Sequence, residues 1–343
     1  MRVHPGRAAA KSAPPRVSVV IPPCYNYGRY LTDAVGSALA QDGVEVDVTI
    51  LDDASTDDSV ETAERLATSD ARVRLVRHAV NRGHVETSNE VLTLATGEFV
   101  VKLDADDLLT PGSLARSAAL MRDHPEVVLC YGYAEQFYET RPTRLPDRVR
   151  NWSVWRPGEW TERVMRRGHN PICQPEAMVR RDALEASGGY RPELRWAEDF
   201  NLWLRLSAEG AVGRVNGPTQ GLYRMHPHSF TRSAANPGGL TDVRARAAAV
   251  DLFFAEFPNA LENSDGIHRA ALSALANDAR RSAARVGDAD AAHAEYLGVA
   301  RELDARSGLR ALSSPAMSRS RFGAVYRDLE GRISWRYRRR YGI

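Results

Sequence analysis

The sequence predicts an α/β fold: a mostly parallel central sheet flanked by helices. Short apolar runs recur at residues 17–21, 46–51, 73–76, 99–103 and 127–131. Strands buried on both faces read this way. Segments with helical periodicity separate several of them, and such alternation argues for a parallel sheet. Three runs also end in polar chemistry: Tyr25-Asn26 follows the first, Asp52-Asp53 closes the second, and Asp104, Asp106 and Asp107 end the fourth. Ligands collect at the carboxyl ends of strands in open α/β sheets, so these residues should line one crevice.

In chain order, the first strand is stopped by Pro22-Pro23, and residues 30–40 have helical periodicity. After the second strand, Ser55-Thr-Asp-Asp58 offers N-cap chemistry for a helix running through Leu66. The third strand leads to the loop Asn81-Arg-Gly83 and a helix over 86–95. Residues two apart on a strand point the same way, so Asp104 and Asp106 can aim two carboxylates at one point. A solvated acidic turn would look similar in isolation. Clustered carboxylates are unfavourable without a cation, and hard oxygen ligands suit Mg²⁺ or Mn²⁺. A helix over 111–122 precedes the fifth strand, and residues 140–157, with Trp152 and Trp155, read as an irregular flap. Residues 159–167 and 182–186 look helical, Gly188-Gly-Tyr190 is a turn, and 198–209 is a helix opening with two acids. Beyond Pro237, Ala- and Arg-rich helical segments fill 241–306, and Pro315 precedes a basic, aromatic tail.

The 343 residues are 43% hydrophobic and 26% charged with a net charge of +2, which is ordinary globular composition and implies no polyelectrolyte partner. Cys24, Cys130 and Cys173 are odd in number and lack metal-type spacing, which suits a reducing cytosol. Residues 1–15 lack an apolar core and read as a disordered tail. No run approaches the roughly eighteen apolar residues that span a bilayer. A soluble, cytoplasmic protein is expected.

Several motifs stand in order: Val17-Ser-Val-Val-Ile-Pro22, Tyr25-Asn26, Leu51-Asp-Asp53 with Ser55-Thr-Asp57, Asn81-Arg-Gly83 with Asn89, and Gly97-Glu-Phe99. Asp104-Ala-Asp106-Asp107, Gly188-Gly-Tyr190, Glu198-Asp199 and Tyr223-Arg-Met-His226 complete the series. Each is weak alone; their order and spacing are specific. Over residues 17–229 the chain resembles glycosyltransferase family 2, with the GT-A nucleotide-sugar fold. The resemblance implies an inverting enzyme that moves one sugar from a nucleotide-diphosphate donor, UDP- or dTDP-linked, to an acceptor hydroxyl. It implies a GT-A domain over 16–235, with a nucleotide-sugar half at 16–107 and an acceptor half at 108–235, followed by a mainly helical region at 236–343.

Site residues follow from the same resemblance. Pro22, Tyr25, Asn26, Asp53, Arg82 and Asp104 are expected at the nucleotide, with Asp53 accepting the N3–H of uracil or thymine. Asp104, Asp106 and His226 are expected to hold Mn²⁺ or Mg²⁺, with Asp104 shared between metal and ribose and His228 a weaker candidate. Asp199 matches the general base. Glu198 and Trp196 are expected at the acceptor, although acids at a helix start are also plain dipole partners. The acceptor itself, a small metabolite, glycan or lipid-linked sugar, is not encoded legibly.

Two departures from the family pattern stand out. Ile21-Pro-Pro-Cys-Tyr-Asn26 is one residue longer than the usual Ile-Pro-x-Tyr-Asn, so the loop should bulge. Ser88 stands where relatives often carry a basic residue, so one expected phosphate or ribose contact is either missing or supplied by Arg82. The lack of Gln-x-x-Arg-Trp argues against a processive synthase. A dinucleotide oxidoreductase would need Gly-x-Gly-x-x-Gly after the first strand, which is lacking. A non-catalytic sugar-nucleotide-binding module is disfavoured by Asp104, Asp106 and Asp199 standing together. Residues 319–340 interleave Arg with Phe322, Tyr326, Trp335 and Tyr337, a composition that fits either a packed helix or a peripheral contact with an anionic membrane. No nucleic-acid partner is expected.

Overall fold

The computed structural model describes residues 1–4, 13–226, 240–286 and 291–309. His228, Pro237, Pro315 and the tail at 319–340 lie outside them. The elements in chain order are β1 (Arg2–His4), β2 (Arg16–Cys24), α1 (Gly28–Leu39), β3 (Glu45–Asp52), α2 (Ser59–Ser69), β4 (Val73–Arg77), α3 (His84–Thr93), β5 (Phe99–Lys102) and β6 (Leu108–Leu109). There follow α4 (Ser113–Asp123), β7 (Val127–Tyr131), β8 (Ala134–Phe137), β9 (Asn151–Trp155), α5 (Glu159–Arg167), a 3₁₀ turn (Gln174–Glu176), β10 (Met178–Arg180), α6 (Arg181–Ser187), α7 (Glu198–Glu209), β11 (Ala211–Asn216) and β12 (Gly221–Arg224). Three helices close the series: α8 (Leu240–Glu256), α9 (Ser264–Val286) and α10 (Ala291–Ser307). The chain divides into two compact units, Met1–Thr161 with Ile172–Ala235 and Glu162–Pro171 with Asn236–Ile343.

In the first unit, a nine-stranded sheet runs β1-β9-β11-β7-β10-β5-β2-β3-β4. The segment β5-β2-β3-β4 is parallel throughout, and so is the β7–β11 pair. Val17, Val19, Ile21, Val48, Ile50, Phe99 and Val101 are buried in its core together with Leu31, Ala34, Val35 and Ala38 of α1. Apolar positions three and four apart on α1 thus meet one sheet face. A small second sheet, β6-β12-β8, carries Tyr223 and Arg224, the start of the chain's last motif.

Several expectations change. β10 inserts antiparallel between β5 and β7; at three residues it is too short to show periodicity. Part of the expected flap is β9, which pairs with β11 and buries Trp152 and Trp155. Arg2–His4, expected within a disordered tail, pair with β9 as an edge strand. The extra residue after Ile21 is absorbed as a register shift between Ile21 and Cys24 against β3, the bulge the longer loop called for.

The second unit packs α8 through Val243, Ala247, Val250 and Phe253, and α9 through Ile267, Ala271, Leu275 and Ala279. Buried Arg246 bonds Asp242 and Asp278 at 2.7 Å and the Gly168 carbonyl. No helix among the described residues is long and apolar enough to cross a membrane.

Gly97 sits where the chain entering β5 passes closest to β2. A Cβ there would lie 2.6 Å from Ser18 N and 2.9 Å from the Arg16 carbonyl, both backbone atoms. Gly97→Ala should therefore cost about 1–3 kcal/mol, read as a lowered urea midpoint at unchanged slope.

Candidate active site

The loops after β2, β3 and β4 are built by side chains bonding to backbone across gaps of about thirty residues. Asn26 adopts φ 61°, a left-handed conformation that Asn tolerates better than most residues. Its Oδ1 accepts the Thr56 and Asp57 amides at 2.9 and 3.2 Å, so the side chain ties two loops together. Tyr25 beside it is 41% exposed and presents an open aromatic face. Pro22 is buried at the end of β2.

Asp53 differs from expectation. Its Oδ1 takes His78 Nδ1 at 2.7 Å and the Arg82 amide at 2.8 Å, and its Oδ2 takes the Gly83 amide at 2.9 Å. Burial opposes ionisation, but the Arg82 amide, His78 and the Gly83 amide outweigh it and lower the pKa. Asp53 therefore fixes the loop before α3, and both of its oxygens are engaged within the protein. Asp52 is equally buried; its Oδ2 accepts the Ser55 amide at 3.0 Å, while its Oδ1 has no partner. Arg82 pairs with Glu90 at 2.9 Å on a half-exposed surface.

The turn after β5 gathers the acids. Lys102 Nζ lies 2.5 Å from Asp104 Oδ1. Asp106 Oδ2 meets His226 Nε2 at 2.9 Å. The Arg224 amide donates to Asp107 Oδ1 at 2.8 Å, and Arg224 Nε donates to the Asp106 carbonyl at 2.8 Å, so β12 locks this turn from the other sheet. Tyr27 and Tyr30 place their rings 5.9 and 5.3 Å from the His226 ring. Burial and then Asp104 raise the pKa of Asp106, with His226 opposing. Burial, Asp106 and Asp104 raise Asp107 well above the carboxylate range.

The second acid pair opens α7. Asp199 is pushed up to about 7 by burial and then by Glu198, with Asp104 adding and the Phe200 amide and Lys102 opposing. Glu198 Oε1 bonds His84 Nε2 at 3.0 Å. Trp196 lies just before the helix under the Arg195 guanidinium. Two long-range ties hold this end in place. Asn89 on α3 accepts the Tyr190 amide at 2.7 Å and donates to its carbonyl at 2.8 Å. Arg205 on α7 bonds Asn201, the Ser187 carbonyl and the Gly189 carbonyl.

Asp106 and His226 thus meet directly, Asp104 acts on Asp106 electrostatically, and Asp104 also reaches Asp199. Among the described residues no three His, Cys, Asp or Glu side chains form a closed metal cage. Mg²⁺-like ions commonly take one or two carboxylates and complete their shell with substrate phosphates and water. The donor set fits such an ion: buried, mutually repelling carboxylates beside an imidazole whose Nδ1 is itself unpartnered. Lys102 and His84 were missed in the sequence. The signal for Lys102 was a lone charge inside an apolar strand; His84 carried none.

Residues 18–188 match the model of Glycosyl transferase family 2. The chain is 32% identical over 205 residues to the putative glycosyltransferase EpsE of Bacillus subtilis, covering 58% of this chain and 69% of that protein. It is 30% identical over 216 residues to the succinoglycan biosynthesis protein ExoU of Rhizobium meliloti, covering 60% of each. S. aureus TarS 1–349 in complex with UDP-GlcNAc superposes with a TM-score of 0.54 at 19% identity, over 85% of this chain and 92% of that one. Mannosyltransferase PcManGT from Pyrobaculum calidifontis, in complex with GDP-Man and Mn²⁺, gives 0.51 at 20% identity, over 90% and 92%. At those identities the likeness is one of fold. The ordered motifs, the sheet and the matched model together place the chain in glycosyl transferase family 2, as a glycosyltransferase on the GT-A fold.

Proposed function

We propose that the chain transfers a single sugar from a nucleotide-diphosphate sugar to an acceptor hydroxyl, with inversion at the anomeric carbon and Asp199 as general base. The observation that carries this reading is geometric: Glu198, next to Asp199 at the start of α7, bonds His84 at 3.0 Å, and the Gly83 amide before His84 is held at 2.9 Å by Asp53, just after β3. The acid pair of α7 is thereby tied to the loop assigned to the nucleotide side. Asp199 takes the proton of the acceptor hydroxyl as that oxygen bonds the anomeric carbon and the nucleoside diphosphate departs. A value near 7 suits a base working near neutral pH. Glu198, held by His84, and Trp196 are assigned to the acceptor side.

Asp106 and His226, with Asp104 sharing, would hold a divalent Mn²⁺ or Mg²⁺, which would neutralise the leaving diphosphate as a Lewis acid. At the base, Tyr25 offers a stacking face and Asp52 Oδ1 an unpaired acceptor. That oxygen takes over the role expected of Asp53. A carboxylate acceptor suits the N3–H of uracil or thymine, which supports a UDP- or dTDP-linked donor.

Asp199→Asn keeps shape but cannot take a proton. It should lower kcat about 10²–10⁴-fold while donor affinity changes less than about threefold, under ~1 kcal/mol. Glu198→Gln should be milder. In the wild type, activity should rise with pH through an acid limb at about 7, or lower once a cation is bound, because the base works only when ionised. Since the folded value exceeds the ordinary one of about 3.9, ionising Asp199 lowers stability as pH rises through that window. Asp199→Asn should remove this slope from a pH series of melts. Wild-type turnover in Asp199→Asn would refute the assignment.

Metal-stripped protein should lose transfer in EDTA and regain it with Mn²⁺ or Mg²⁺. Asp106→Ala should weaken calorimetric UDP binding in Mn²⁺ by about tenfold or more, on the scale of a lost charge-assisted contact of about 1.5–3 kcal/mol. Full activity in EDTA would sink the metal reading.

A further inference from the structure

Lys102 is the last residue of β5, 7% exposed, in a strand whose other residues are Phe99, Val100 and Val101. Its ammonium contacts Asp104 Oδ1 at 2.5 Å, while the Asp104 side chain keeps 32% exposure. Burial works against the charge, but Asp104 first, then Tyr190 and Glu198, outweigh it and keep the lysine an ammonium. Buried ion pairs contribute little to stability and are often replaced by apolar residues at no loss. A Val or Met would continue this strand more cheaply, so the ion pair calls for another explanation. Asp104 lies two residues from Asp106 and three from Asp107, both of which feel its charge. Without an anchor, repulsion would turn its carboxylate outward to water.

We propose that Lys102 is a positioning residue for donor binding: its ammonium holds Asp104 Oδ1 and so leaves Oδ2 set toward the nucleotide and its cation. The inference rests on the donor-site reading above and adds a residue that does not itself touch the donor. Lys102 acts through Asp104, so its effect must vanish when Asp104 can no longer respond.

The test is a double-mutant cycle read by calorimetry and thermal melts. UDP, dTDP and GDP are titrated into wild type in Mn²⁺, and the tightest is carried forward. Lys102→Met, with Lys102→Gln as a second removal, should weaken that nucleotide about tenfold, a coupling of the size found between contacting residues. The melting temperature should fall only slightly, because Asp104 is part exposed and can turn to water, and kcat at saturating donor should stay within about threefold, the loss appearing in donor KM. Lys102→Arg, which keeps the cation, should recover most of the affinity. In an Asp104→Asn background, Lys102→Met should add no further loss. Wild-type affinity in both removal variants would overturn the proposal, as would a full additional loss on top of Asp104→Asn. If Asp104→Asn itself binds like wild type, the donor-site reading fails and this inference with it. If Asp104→Asn is weak while the lysine variants are not, only the lysine assignment falls.

Discussion

The constraint on which the site depends is the crowding of buried negative charge. Asp104, Asp106 and Asp107 follow one strand, and Glu198 and Asp199 open one helix. Burial and mutual repulsion raise Asp106, Asp107 and Asp199 together. Each of four acids in the cluster is answered: Asp104 by Lys102, Asp106 by His226, Asp107 by the Arg224 amide, Glu198 by His84. The repulsion that remains adds to burial in raising Asp199.

The loops bearing these acids are short on regular structure, so their shape comes from single side chains reaching across the sheet. Asn26 fixes the loop after β3, Asp53 the loop before α3, and Asn89 the turn before α7. Each gives loop amides an acceptor that the sheet does not supply. Asn26 and Asp53 thereby spend side-chain oxygens on the loops themselves, while their neighbours differ: Tyr25 is exposed, and Asp52 Oδ1 is buried without a partner.

This explains what could be read from the chain. β2, β3, β5 and β7 were legible because a strand buried on both faces is a continuous apolar run, and α7 because two acids and a period of 3.6 mark its start. Asp104 and Asp106 were legible as an acidic strand end, although they stand in the turn after Lys102 and not on the strand whose alternation was invoked. Which member of Asp52-Asp53 has both oxygens engaged within the protein was not, because amides about thirty residues downstream, at Arg82 and Gly83, decide it. β10 carries three residues and no period. β9 was obscured by the prolines and arginines around it, and its pairing with β11 is set by residues sixty positions away. Lys102 was visible but unreadable, since a lysine at a strand end is usually solvated and only the fold shows it enclosed.

The position of β10 has a consequence for biosynthesis. β5 joins β2, β3 and β4 in a parallel sheet from residues all made early. Its other neighbour, β10, is not translated until residues 178–180. Until then a nascent chain carries β5, with the run Phe99-Val-Val, as an unpaired apolar edge. Unpaired edges of this kind recruit other strands. During that interval the emerging polypeptide depends on the ribosome or a chaperone to shield Phe99–Lys102, and late ribosomal stalls before Met178 would release a fragment prone to self-association.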